Sequence, residues 1–186
     1  MKTLIINGSP HKNGNTAFLV NELKKYLKGE VIELFAYDCN VKPCDGCGCC
    51  HKKVECSKKD DMQIIYNDDY DNVVIATPLF ISSFPGPLKI IADRLQVYSS
   101  AKRFLGMDLK LRKKFGAAII VGGGAGRPDK AIDIAKHMCN KLNASLDREK
   151  DIVTSLKTDT IPTSQDEEAI NKVKDIANYL NSNCNN

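Results

Sequence analysis

The chain has 186 residues, room for one domain with a sizeable buried core, and its 42% hydrophobic and 27% charged content is that of an ordinary globular protein. Its net charge of +4 is too mild to argue for a nucleic-acid backbone binder, and the run of Lys58 and Lys59 is neutralised at once by Asp60 and Asp61. The apolar run in the opening MKTLIING falls far short of the roughly 7–15 residues of a secretion signal, and nothing later approaches a membrane span, so a cytoplasmic chain is expected.

Residues 2–7 read as a buried strand, with Leu4, Ile5 and Ile6 leading into Gly8. From Asn15, the residues Phe18, Leu19, Leu23, Tyr26 and Leu27 recur at helical spacing. Residues 30–37, EVIELFAY, alternate between apolar and polar and predict a second strand, after which comes a cysteine-rich insertion over residues 39–61. DDMQIIYNDDY predicts a short helix capped by Asp60 or Asp61, and the β-branched DNVVIATP a third strand ending at Pro78. PGPLKIIADRLQVY predicts one helix with Pro87 in its first turn, where no N–H is needed. The charged Lys89, Asp93 and Arg94 of that helix read as a solvated face or a subunit contact. KKFGAAIIVGGG is the fourth strand, DKAIDIAKHMCNKLNA the helix beyond its glycines, and KDIVTSL a weaker fifth strand. Ser164 and Glu167 have the spacing of a capping box, which opens a last helix running to about Leu180.

Strands alternating with long helices imply right-handed crossovers and a parallel sheet covered on both faces. The expected fold is therefore a single α/β domain over residues 1–186. Its sheet is five-stranded, parallel and doubly wound in the flavodoxin-like order 2-1-3-4-5, with the insertion after strand two. In such a sheet, ligands bind beyond the carboxyl ends of the strands. Three loops of unusual composition lie at that edge: residues 8–16, 77–87 and 122–126.

The first loop, GSPHKNGNT, approaches the triphosphate-binding pattern G-x-x-x-x-G-K-[ST] but has one residue too many and Asn15 in place of the lysine. It keeps hydroxyls at Ser9 and Thr16, an amide at Asn15, and backbone N–H groups at a helix N-terminus, where the dipole favours an anion. A lone dianionic phosphate needs neither lysine nor magnesium, so the phosphate of FMN fits better than that of ATP or GTP. The alternative for this loop is a plain strand-to-helix turn capped by Asn15 or Thr16. The second loop, TPLFISSFPGP, offers Leu79, Phe80 and Ile81 to a flat ring and irregular backbone to its edge; otherwise it is a core-facing turn. The third, VGGGAGRPDK, fails the dinucleotide fingerprint G-x-G-x-x-G at Arg127, or at Ala125 if shifted by one, and reads as a loop whose backbone can approach a ring closely.

Of eight cysteines, five fall within residues 44–56, while Cys39, Cys139 and Cys184 are scattered. In a reducing compartment such concentration marks a site, not a set of bridges. Cys44, Cys47, Cys50 and Cys56 follow C-x2-C-x2-C-x5-C, two tight steps eased by Gly46 and Gly48 and then a return. Bacterial ferredoxins use a similar short run for an iron–sulfur cluster. Cys49 is an extra thiol that can replace Cys50 or bind nothing, and His51 opens a zinc alternative, although no second C-x2-C pair exists. A cysteine-rich turn without metal is the third possibility.

NGSPHKNGNT, ATPLFISSFPGPLKIIADR and VKPCDGCGCC with its later cysteine together resemble the NADPH-dependent FMN reductase family, and within it the iron–sulfur flavoprotein branch. The resemblance covers roughly the first 125 residues. It implies FMN contacts from Ser9, His11, Asn13, Asn15 and Thr16 at the phosphate and from Pro78, Leu79, Phe80, Ile81 and Ser82 near the ring, with Gly122, Gly123 and Gly124 on the other side. It also implies a [4Fe-4S] cluster on Cys44, Cys47, Cys50 and Cys56, NAD(P)H or ferredoxin as electron donor, and a homodimer or homotetramer. The expected activity is an FMN-dependent oxidoreductase that passes electrons to an acceptor, with no catalytic side chain because the cofactors carry the chemistry. A cluster-free FMN reductase and a non-catalytic, flavodoxin-like electron carrier are the alternatives.

Overall fold

The computed structural model describes residues 1–124, 126–146 and 149–185, without the side chains of residues 184 and 185. Ala125 of the glycine loop and the Cys184 thiol lie outside the described residues. The strands are β1 (Lys2–Asn7), β2 (Glu30–Phe35), β3 (Asn72–Pro78), β4 (Lys114–Val121), β5 (Ala144–Ser145) and β6 (Ile152–Ser155). The helices are α1 (Asn15–Tyr26), α2 (Gln63–Tyr66), α3 (Gly86–Arg94), α4 (Gln96–Leu105), α5 (Asp129–Lys141) and α6 (Glu167–Asn181). All strand pairs are parallel and run β2-β1-β3-β4-β5, with β6 also pairing to β4. The flavodoxin-like order is thus as expected, but its fifth place is shared. β5 pairs with the start of β4 at Lys114 and Phe115, and β6 with its end at Ala118 to Val121.

Burial on both faces explains why the central strands read as unbroken apolar runs. Leu4, Ile6, Val73, Ile75, Ala118 and Ile120 enter one core with residues of α3 and α5. Their neighbours Ile5, Val74, Ala76, Ala117, Ile119 and Val121 enter the other, with residues of α1 and α6. The two-residue period of a strand sends alternate side chains to opposite faces, and each fully buried Leu, Ile or Val contributes about 1.5–3 kcal/mol.

Three expectations need correction. The helix over PGPLKIIADRLQVY breaks at Leu95 into α3 and α4, with Pro87 in the first turn of α3. The Ser164–Glu167 capping box does not form: residues Thr163–Gln165 make a 3-10 turn, and the cap of α6 is Asp166, whose carboxylate accepts from Ala169 N at 3.3 Å. Arg94 is not a surface residue; it is 2% exposed. No helix among the described residues is long and apolar enough to cross a membrane.

Candidate functional site

The loops after β1, β3 and β4 meet around one cavity of about 220 Å³ at the carboxyl edge of the sheet. Ser9, Pro10, His11, Gly14, Asn15 and Thr16 form one wall, Pro78, Leu79 and Phe80 a second, and Val121, Gly122 and Gly123 a third. Asn13, Ile81, Ser82 and Gly124 belong to the same loops without lining the cavity. Thr158, beyond β6, completes the lining and was missed from sequence, because a four-residue strand followed by a polar turn carries no glycine signature.

Residues 8–16 are fixed by the sheet that precedes them. Gly8 N donates to Ala76 O at 2.8 Å, Ser9 N to Asn7 Oδ1 at 2.9 Å, and His11 N to Ser9 Oγ at 3.1 Å. Asn7 is itself held by its Nδ2 donating to Glu33 Oε1 at 2.8 Å. Helix α1 then starts at Gly14 without a side-chain cap, and its first intrahelical bond is Phe18 N to Gly14 O at 2.9 Å. The N–H groups of Asn15, Thr16 and Ala17 precede that bond, and such groups at a helix start seek an anion or solvent. Thr16, 2% exposed, lines the same wall. The Asn15 carbonyl oxygen accepts from Thr163 N at 3.1 Å, so only the amide nitrogen of that side chain remains to face a ligand. Lys12 pairs with Asp38 at 2.5 Å and is absent from the cavity lining.

The other two walls lean on each other. Leu79 N donates to Val121 O at 2.7 Å, and a Cβ at Gly122 would lie 2.9 Å from Leu79 Cδ1. A Cβ at Gly123 would overlap the Asp159 carboxylate, which accepts from Gly124 N at 3.1 Å. These glycines therefore answer first to Leu79 and Asp159. At the rim, Phe80 and Ser83 exchange backbone hydrogen bonds around Ile81 and Ser82, which have φ of 52° and 59°. Ile81 is 99% exposed, and a β-branched residue at positive φ is strained.

The cysteine segment lies elsewhere. Cys44, Cys47, Cys49, Cys50 and Cys56 all line a second cavity, of about 210 Å³, together with Arg94, Val97 and Ser100. The 3-10 turn Cys49–His51 sits on α4: Cys50 Sγ lies 3.3 Å from Ser100 Oγ, and the His51 ring stacks on Phe104 at 3.8 Å between centroids. A hydrogen bond with Ser57 Oγ at 3.2 Å is the main reason that the Cys47 thiol is held below its ordinary pKa. Cys39, outside this cavity, is pushed up to about 11 by burial, with the Asp61 and Asp38 charges adding to it. Cys139, in the core, is pushed up to about 12 by burial alone. Among the described residues, no three His, Cys, Asp or Glu side chains are grouped as around a single metal ion.

Residues 1–150 match the family model described as NADPH-dependent FMN reductase. An iron–sulfur flavoprotein of Archaeoglobus fulgidus is 30% identical over 149 residues, covering 77% of this chain and 63% of that protein. One from Methanosarcina thermophila is 34% identical over 128 residues, covering 66% and 64%. The alignments thus span less than two thirds of these relatives' length. Among solved structures, an FMN-dependent NADH-azoreductase from Bacillus anthracis, in complex with FMN, superposes with a TM-score of 0.63 at 20% identity, covering 97% of this chain and 100% of that one. That likeness is one of fold.

Proposed function

The chain belongs to the NADPH-dependent FMN reductase family, and from that premise we propose that it is an FMN-dependent oxidoreductase whose cysteine segment holds a [4Fe-4S] cluster. The observation that carries the flavin half is the lysine-free wall of N–H and hydroxyl groups at the start of α1. When bound, FMN takes a hydride as two electrons and releases them singly, whereas a cluster handles one electron at a time.

The residues have the following parts. Ser9, Asn15 and Thr16 and the α1 N–H groups hold the phosphate, with the helix dipole supplying the positive field that lysine supplies in triphosphate loops. His11 and Asn13 border it from the exposed side of the loop. Pro78, Leu79 and Phe80 give the ring an apolar face, Ile81 and Ser82 its strained rim, and Gly122, Gly123 and Gly124 the opposite edge. Cys44, Cys47, Cys50 and Cys56 ligate the cluster, and Cys49 remains over. Their donor set suits it, since thiolates are the ligands such clusters take and all five thiols line one cavity. NAD(P)H or ferredoxin supplies electrons, the subunits form a homodimer or homotetramer, and the setting is cytoplasmic.

Anaerobic purification tests this reading: one FMN and about four irons with acid-labile sulfide per chain are expected. Stoichiometric FMN without iron favours the second reading, a cluster-free FMN reductase, for which the lack of a tight thiol grouping speaks. Oxidation of NADPH or NADH with a soluble acceptor separates an enzyme from a mere carrier.

A further inference from the structure

The side chain of Arg94, at the end of α3, is 1% exposed and lies against the cavity of the five thiols. Its four terminal N–H groups are matched by four bonds. Nη1 donates to Lys42 O at 2.6 Å and Asp60 Oδ2 at 2.7 Å, and Nη2 to Asp60 Oδ1 at 3.1 Å and Lys58 O at 3.4 Å. These acceptors sit on both flanks of the cysteine segment, so one planar fork fastens its entry to its exit. The fifth donor, Nε–H, is buried with no partner among the described residues. A buried donor left unmatched on a cation is costly, and the cavity beside it is lined with sulfur.

We propose that Arg94 is a positioning and charge-compensating residue for the sulfur-rich group of this cavity: it clamps both flanks of the cysteine segment and gives its Nε–H to one of the group's sulfurs. The inference rests on the cluster reading above. Four thiolates on a cluster carry net negative charge that grows on reduction. A buried guanidinium with an N–H···S bond therefore favours the reduced form, because hydrogen bonds to sulfur and local charge set cluster potentials. The hydroxyls of Ser100 and Ser57, hydrogen-bonded to the Cys50 and Cys47 thiols, are neutral and lack this charge.

The test uses the full chain, reconstituted anaerobically, as wild type, Arg94→Lys and Arg94→Gln. Iron and sulfide are counted, and the midpoint potential is read by dye-mediated titration with EPR of the reduced cluster. Arg94→Lys is expected to keep its iron and shift the midpoint to a more negative value; Arg94→Gln shifts it further or loses at least half the iron. Wild-type iron and midpoint in both variants overturn the inference. So does an unshifted midpoint in Arg94→Lys alone, which leaves Arg94 a structural clamp. If Arg94→Gln does not fold, wild type labelled with 15N at arginine Nε decides. Pulsed EPR then shows a nitrogen coupling to the reduced cluster, absent from Arg94→Lys, and no coupling in wild type overturns the proposal. Wild type that takes up no iron overturns the cluster reading and this inference with it, an outcome distinct from iron uptake indifferent to Arg94.

Discussion

The loop over residues 8–16 and the cysteine segment over residues 44–56 are the two chemically distinctive regions of this chain, and they are built in opposite ways. The first grows directly out of the central strand β1, and its turns are pinned by backbone and Asn7 hydrogen bonds into the sheet. Its polar groups are backbone N–H groups and short side chains. The second is an excursion with one 3-10 turn, held by the buried Arg94–Asp60 pair, by Asp61 Oδ2 accepting from Asn40 N at 2.8 Å, and by packing on α4. Its thiols share a cavity, with Cys44 and Cys47 exposed. A fold can prebuild an anion site from helix geometry, whereas a thiol site is assembled by what it holds.

The sharpest way to break this comparison is Thr16→Glu. A second anion about 4 Å from the phosphate costs on the order of 4 kcal/mol at intermediate dielectric, about a thousandfold in FMN affinity. Fluorescence titration reads that loss, while the iron content stays unchanged; full flavin retention contradicts the placement. Cys47→Ala is the mirror experiment, with iron lost and FMN kept at one per chain. Loss of both makes the cysteine segment a folding element instead.

Two glycine substitutions separate the regions by the origin of their cost. In Gly8→Ala the new Cβ would lie 2.6 Å from Leu88 Cδ2 and 3.2 Å from Thr77 Oγ1. Overpacking of this kind costs about 1–3 kcal/mol, seen as a lower thermal midpoint. In Gly46→Ala nothing lies within 4 Å of the Cβ, but φ is +68°, so the cost is backbone strain of about 1–2 kcal/mol. A Gly8→Ala protein as stable as wild type means that the first loop is not welded to α3.

The smallest effect is a pH dependence confined to the cysteine segment. Burial alone raises the Asp60 pKa, but hydrogen bonds from Arg94, Lys42 N and Met62 N outweigh it and leave it below the ordinary value. The folded-state pKa is therefore depressed. The clamp's contribution is complete above the unfolded value of about 3.9 and is lost as pH falls through the lower one. Hydrogen exchange over residues 42–60 should speed up below about pH 4 before exchange in residues 8–16 does; simultaneous loss refutes an independent clamp.

Much of this was legible in the sequence, for definite reasons. β-branched runs buried on both faces announced β1, β3 and β4, and the loops that follow them converge because strand order makes them neighbours. What stayed hidden depends on tertiary partners. Thr158 enters the cavity from a strand too short to show a pattern, and Asp159 explains Gly123 only once both are placed. Arg94 looked solvated because a helical arginine is usually exposed, and its burial follows from Asp60, 34 residues away in sequence. Neither Asp60 nor Asp61 caps α2, whose N-cap is Met62 without a side-chain bond; the Asp60 carboxylate accepts from Met62 N at 3.3 Å, and its main partner is the guanidinium.

The central claim is that amides and hydroxyls alone hold a single phosphate at the start of α1. Titrating flavin-free protein with FMN and with riboflavin, in the absence of magnesium, tests it most directly, since the two ligands differ only by that phosphate. FMN is expected to bind at least about 100-fold tighter than riboflavin, a difference of about 2.7 kcal/mol. Equal affinity for the two flavins, or FMN binding that appears only with magnesium, would contradict it.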